Sequence, residues 1–363
     1  MFLWDKKDMK ICLNMIVKDE IDVIERCLRS VKQLLDYWVI VDTGSTDGTQ
    51  SLIQSVLQDI PGELYERPWI NFAYNRNEAL GLARGKAQYI LFIDADETLM
   101  ISKEFEKSKL NKDFYIFKLI ERSQTDMYRI SFIKDRPCWF WKGVLHEAID
   151  ASEEQSGELL ETIVKHSFTH DGKRTQNPLK FLKDAEILEK ALETDRTNSR
   201  YVFYLAQSYG NAKQYDLALH WYERRTFMGG DPDEIFWSFY CLGMIHQHLG
   251  SEPSLFIGHY SQAYQKNPTR AEPLFQLAEY FYQSNQPLIG YFLAKACLDL
   301  AAPKFGFYFH AWVYEYAALF IFARCAQVIH RKEEALHAYH QILRNNIPLD
   351  VRSLIEELQN GLL

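Results

Sequence analysis

The hydrophobic period of this chain changes near Asp171, and that break limits it to two unlike halves. Before the break, short apolar runs alternate with stretches of helical spacing. Ile11–Val17 (ICLNMIV) and Tyr37–Asp42 (YWVIVD) have the length and unbroken apolarity of strands buried on both faces of a parallel sheet. Glu63–Arg67 and Tyr89–Asp94 (YILFID) continue the series. Between them, Glu20–Gln33, Thr46–Leu57 and Asn75–Arg84 carry helical spacing. The second of these has Ser45, Thr46 or Asp47 as its N-cap, and the third is ended by Gly85. Such alternation predicts a mainly parallel α/β sheet with helices on both faces, which binds ligands at the carboxyl ends of its strands. From Asp113 to Ile149 the runs FYIFKL and YRISFI predict further strands and no long helix.

From Pro178 onward nearly every segment has helical spacing, and a repeat emerges. Ala206, Tyr209, Ala218 and Tyr222 lie at 0, +3, +12 and +16, the pattern of a tetratricopeptide unit. Leu205-Ala206 recurs as Leu242-Gly243 37 residues on, and as Leu277-Ala278 after 35 more. Pro232, Pro268 and Pro303 are spaced 36 and 35 apart and would open successive units. Small residues at these positions let paired helices approach closely. A chain of 363 residues, at roughly 100–200 per domain, therefore reads as an α/β domain over 1–172 and an all-α, tetratricopeptide-like domain over 173–363. A non-repeating helical bundle is the competing reading of the second half.

The net charge of −8 argues against a sequence-independent nucleic-acid binder, which needs many cations to displace counterions from phosphates. The six cysteines form no Cys-x-x-Cys pair, and a chain of this length needs no disulfide staples, so they read as buried thiols in a reducing compartment. The first ten residues, MFLWDKKDMK, place charges where a secretory leader needs an apolar stretch. No run approaches the 18 apolar residues or so of a membrane span. Together these predict a cytoplasmic protein.

The chemistry concentrates in four short segments. In FIDADE (Phe92–Glu97), Asp94 and Asp96 stand two apart just past an apolar strand, where a hard divalent cation could take oxygen ligands and bridge to a diphosphate. A solvated acidic turn explains the same pair. In VDTGSTDGT (Val41–Thr49), Asp42 ends a strand, and the Gly/Ser/Thr loop lets backbone come close to a ligand. A buried carboxylate there could accept a nucleobase N–H; a capped turn before a helix is the alternative. NMIVKDE (Asn14–Glu20) is again strand into helix. RNEAL (Arg76–Leu80) places an arginine near a helix start, suited to a nucleotide or to a surface ion pair. There is no GxGxxG, P-loop or GxSxG segment.

In order and spacing, IVKDE, IVDTGSTDGT, AYNRNEAL and LFIDADE resemble family 2 glycosyltransferases of the GT-A fold, over roughly the first 170 residues. The resemblance implies that Asp42 contacts the base, usually uracil, with Val17 and Glu20 lining its pocket. It implies that Arg76 helps hold the nucleotide, that Asp94 faces ribose or metal, and that Asp96 is the chief ligand of Mn²⁺ or Mg²⁺. Asp19 departs from the family, which often has Asn there, and adds negative charge near the pocket mouth. WFWKGVLHEAI (Trp139–Ile149) resembles a segment of the family members that carry tetratricopeptide repeats, with Leu145 in place of the usual Val. There Glu147 is the candidate base and His146 a further metal ligand. The alternatives are a loop-ordering histidine and an ion pair of Glu147 with Lys142 or Arg136. Asp126, Asp135 and Glu97 are rival bases. His166 and His170 resemble a structural hinge between the domains.

The resemblance implies an inverting, metal-dependent transfer of a sugar from a nucleotide-diphosphate donor, a UDP-sugar by the family's usual base, to a peptide, protein or glycan. The helical repeats would recognise the acceptor, build a homodimer, or both. An interaction scaffold with a non-catalytic nucleotide-sugar domain is the alternative. A nucleotidyltransferase ranks last, because VKDE lacks the glycine-rich first loop of that class.

Overall fold

Strand β1 (Ile11–Val17) lies inside a parallel group, paired with β2 (Tyr37–Asp42) on one side and β4 (Tyr89–Phe92) on the other. The computed structural model describes residues 9–121, 126–167, 177–303, 308–345 and 347–362. Two units are separable, Met1–Arg196 and Thr197–Leu363. The expected boundary at 172/173 lies outside the described residues.

In the first unit, β3 (Gly62–Glu66), β5 (Glu97–Ile101), β6 (Phe114–Glu121), β7 (Asp126–Lys134) and β10 (Gly157–Ser167) complete an eight-stranded sheet of order β3-β2-β1-β4-β7-β6-β10-β5. The β3-β2-β1-β4 half is parallel; β7 joins β4 antiparallel and turns the remainder into a mixed sheet. Because strand side chains alternate, β1 sends Ile11, Leu13 and Met15 to one face, against Ile24, Cys27 and Leu28 of α1 (Ile24–Val31) and Ile53 of α2 (Thr49–Val56). Cys12 goes to the other face, with Leu80 and Ala83 of α3 (Phe72–Ala83) and Trp139 of β8 (Trp139–Lys142). Each aliphatic side chain so buried contributes about 1.5–3 kcal/mol. Asn14, polar and buried, donates from Nδ2 to the Ala79 carbonyl at 2.8 Å, tying β1 to α3.

The expected strands over Ile11–Val17 and Tyr37–Asp42 match residue for residue, while helix ends move for local reasons. Helix α1 begins at Ile24 because Asp19 takes a left-handed conformation (φ 53°) and the Glu20 carbonyl closes a turn onto Val23 and Ile24. Helix α3 begins at Phe72 because the Asn71 side chain caps it, accepting from Tyr74 N at 2.9 Å. Strands β5 and β10 were not foreseen. They pair antiparallel with each other across some sixty residues of chain, a long-range contact with no local signature.

The second unit stacks antiparallel helix pairs: α5 (Ser199–Asn211) with α6 (Tyr215–Thr226), α7 (Pro232–His248) with α8 (Pro253–Lys266), α9 (Glu272–Gln283) with α10 (Pro287–Leu298), and α11 (Ala318–Val328) with α12 (Lys332–Leu343). Helix α4 (Lys180–Thr194) precedes them in the first unit, and α13 (Leu349–Asn360) packs on α12. The repeat positions Ala206, Tyr209, Ala218, Tyr222, Leu242, Leu277 and Ala278 are all buried. Pro232 opens α7 as expected, but Pro268 sits in the turn before α9, where Pro273 takes the first helical turn. The residues that follow Pro303 lie outside the described ones.

The six cysteines are free and buried. Among the described residues no helix is long and apolar enough to cross a membrane.

Gly243 shows why small residues recur: a methyl group there would lie 2.6 Å from the buried Tyr260 ring of α8. Gly243→Ala is expected to lower stability by about 1–3 kcal/mol despite its better helix propensity, read as a fall in denaturation midpoint.

Candidate active site

The carboxyl edge of β1, β2 and β4 carries the acidic residues singled out above. Val17 and Asp42 are register partners at the ends of β1 and β2. Thr43 closes the two strand tips, donating from both N (2.9 Å) and Oγ1 (3.0 Å) to the Val17 carbonyl. Asp42 is fully buried. Its Oδ1 accepts from Gly44 N at 2.8 Å and Ser45 N at 2.7 Å, a turn that needs Gly44 at φ 108°. Its Oδ2 is buried and meets no donor. A buried carboxylate oxygen without a donor is costly unless a ligand satisfies it.

The polar residues of this loop bind the segment after β1. Ser45 Oγ accepts from Asp19 N at 2.8 Å, Asp19 Oδ1 from Thr46 N at 2.8 Å, and Thr49 Oγ1 from Glu20 N at 2.9 Å. Asp19 thus braces the two loops, and its positive φ lies in the left-handed region that Asp and Asn both tolerate. Of the three proposed caps, Asp47 serves α2, accepting from Thr49 N at 3.0 Å, with Gly48 at the cap position itself.

Beyond β4 the chain turns tightly: Glu97 N donates to the Asp94 carbonyl, and Asp94 N to Glu97 Oε2, both at 3.0 Å. Glu97 is buried against Lys165 Nζ (2.9 Å) and Arg129 Nη1 (3.3 Å), so this rival base is a structural anchor. Asp94 Oδ1 accepts from Arg76 Nη2 at 2.6 Å, and Oδ2 lies 3.6 Å from Arg129 Nη1. Burial opposes its charge, but Arg76, Arg129 and Lys165 hold the carboxyl well below the usual range. Asp96 is partly buried, and burial followed by the charges of Asp94 and Glu97 pushes its carboxyl up to about 6. Carboxylate oxygens suit a hard cation that also keeps water and phosphate oxygens, for which one or two protein ligands suffice. Among the described residues no group of three or more His, Cys, Asp or Glu side chains is assembled around one point.

Helix α3 joins this edge to the hairpin of β8 and β9 (Ala148–Ala151). Arg76, nine-tenths buried, donates from Nε to Glu147 Oε1 at 2.6 Å and stacks 4.8 Å over the Trp141 ring. The next residue, Asn77, accepts from Trp141 N at 2.8 Å and donates to Trp141 O at 2.7 Å. The hairpin turn places Gly143 (φ 103°) and His146 (φ 50°) in the left-handed region, with Leu145 buried and His146 exposed. The ion pair of Glu147 is therefore with Arg76; Lys142 pairs with Asp150 and Arg136 with Asp113. Asp135 binds Arg84 and Gly85 N next to the start of β4, the opposite edge of the sheet, and is removed from the site. The Asp126 side chain and His170 lie outside the described residues. His166 lies on β10, in register with Thr98 and Ile120. The braces Asn77, Arg129 and Lys165 escaped sequence reasoning; for Asn77 the signal was its place in the NRN triplet of α3.

A mainly parallel sheet with acidic residues at the carboxyl edge of β2 and β4 defines an α/β domain of the kind that binds ligands at its strand ends. Residues 12–107 match the model of glycosyl transferase family 2. An uncharacterized glycosyltransferase of Rickettsia bellii is 32% identical over 124 residues, covering 34% of this chain and 38% of that protein. The SPbeta prophage-derived glycosyltransferase SunS of Bacillus subtilis is 35% identical over 111 residues, covering 30% and 25%. A TPR repeat-containing protein of Synechococcus elongatus is 30% identical over 151 residues, covering 39% and 36%. The chain thus spans well under half the length of these relatives. Among solved structures, MamA aligns with a TM-score of 0.38 at 14% identity, over 47% of this chain and 91% of that one.

The raised carboxyl of Asp96 has a consequence for stability. A carboxyl that binds its proton more tightly when folded stabilises the fold below the unfolded value of about 3.9, and that contribution is lost as pH rises through about 6. Asp96→Asn is expected to raise the melting temperature by up to a few degrees at pH 7.5 without metal, with the gain vanishing near pH 4 in a thermal-shift series.

Proposed function

We propose that this chain is an inverting, metal-dependent glycosyltransferase that moves a sugar from a UDP-sugar to a peptide, protein or glycan acceptor. The observation that carries the reading is the family-matched carboxyl edge, where Asp42 keeps a buried oxygen without a donor and Asp96 is crowded by like charges. Asp42 Oδ2 takes an N–H of the base, and Val17 and Glu20 line the base pocket. Asp94 faces the ribose side. Asp96 is the chief ligand of Mn²⁺ or Mg²⁺ and Asp94 the second; His146, the expected third, is not gathered with them around one point and would join only if the hairpin turn moved. Bound there, the cation supplies charge neutralisation at the diphosphate.

Glu147 takes the proton from the acceptor nucleophile. The nucleophile attacks the anomeric carbon on the face opposite the leaving diphosphate, which inverts that centre. The tetratricopeptide-like helices supply a surface for the acceptor or for a second copy of the chain. Six unpaired, buried thiols suit a cytoplasmic, reducing location.

Incubation with a panel of UDP-sugars and Mn²⁺ is expected to release UDP, and excess EDTA to abolish the release. Asp96→Ala should cut turnover at least about 100-fold while the fold is retained, several kcal/mol of transition-state stabilisation being at stake. UDP release that survives both EDTA and Asp96→Ala would sink the metal assignment. Glu147→Gln should lower kcat by about 10²–10⁴-fold and leave UDP affinity nearly unchanged, measured by calorimetry.

A further inference from the structure

Arg76 was expected to hold the nucleotide; in the structure its guanidinium is engaged by two carboxylates. Its guanidinium offers one donor to each of two carboxylates from separate parts of the chain: Nη2 to Asp94 Oδ1 and Nε to Glu147 Oε1, both at 2.6 Å. The group is nine-tenths buried and lies against the Trp141 ring. The carboxylates are fixed from other sides as well. Arg129 faces Asp94 Oδ2 at 3.6 Å, and Asn77 clamps the Trp141 backbone, which leads into the hairpin turn carrying Glu147. Residues 76 and 77 of one helix therefore fasten both the β4 turn and the β8–β9 hairpin.

We infer that Arg76 is a positioning residue: it holds the Glu147 carboxylate by Oε1, leaves Oε2 to take the acceptor proton, and keeps that oxygen at a constant distance from the β4 turn. The inference rests on Glu147 and Asp96 acting as proposed above, and replaces a nucleotide contact for Arg76. The planar fork is the reason for arginine. A lysine ammonium is a single point and cannot meet two carboxylates with the same two parallel-edged contacts. Small displacements of a base from its substrate are enough to slow proton transfer severely.

The test uses the full chain with Mn²⁺, UDP and the most active UDP-sugar. For Arg76→Lys, the UDP dissociation constant from calorimetry and the donor KM are expected to stay within about threefold, while kcat falls about 100-fold. The double variant Arg76→Lys/Glu147→Gln is expected to lose no more than about threefold beyond Glu147→Gln alone, because both changes disable one device. A UDP dissociation constant raised tenfold or more with kcat retained would make Arg76 a nucleotide ligand and overturn the inference. Independent, multiplicative losses in the double variant would overturn it too. Arg76→Gln, which takes the Arg76 charge from Glu147 and leaves Asp94 facing Arg129, checks the direction if it folds; Arg76→Lys keeps the charge and carries the test if it does not. Wild-type chain inactive with every donor would overturn both readings, whereas active wild type with the wrong Arg76 pattern would overturn only this one.

Discussion

The first unit is organised around a charge balance at the tip of β4. Asp94, Asp96 and Glu97 fall within four residues, and Glu147 is brought in from the hairpin. Left alone, such a group would resist ionisation and burial alike. Arg76, Arg129 and Lys165 meet three of the four carboxylates: Arg76 takes Asp94 and Glu147, Arg129 leans on Asp94 and Glu97, and Lys165 is buried against Glu97. Asp96 is the member whose charge is disfavoured, by burial and by the charges of Asp94 and Glu97.

The backbone serves the same edge. Parallel pairing places Val17 and Asp42 at one level, and the loop after β2 is stitched to the segment after β1 by Asp19, Ser45, Thr46 and Thr49. This cross-linking spends the loop's polar groups on rigidity and leaves one buried oxygen of Asp42 without a donor. On the other face of the sheet, α3 carries Asn14's acceptor, the Asn77 clamp and Arg76 within a few residues. A single helix thereby sets the distance between the sheet and the hairpin.

The helical unit follows a different rule. It has no sheet edge to gather charges, and its regularity comes from close helix approach at small residues. Gly243 against Tyr260, and Gly290 against the Ala278 carbonyl and Cys325, are positions where a side chain would force helices apart. Buried ion pairs such as Arg225–Glu234 and Arg270–Glu272 fix helix starts rather than a site.

Much of this was legible without coordinates. Apolar run length determined β1 and β2 to the residue, and the small-residue period determined the helix pairs, because both signals are local and repeat along the chain. The acidic positions Asp42, Asp94 and Asp96 were marked by their places just past apolar strands. Tertiary structure alone decided the partners. Arg76 meets Glu147 across 71 residues, Glu97 turns from a rival base into the buried mate of Lys165, and Asp135 leaves the site because antiparallel β7 delivers it to the far edge. Strand direction and long-range pairing set those outcomes. Neither has a signature within a local window of sequence, because the groups concerned meet only once the sheet has closed.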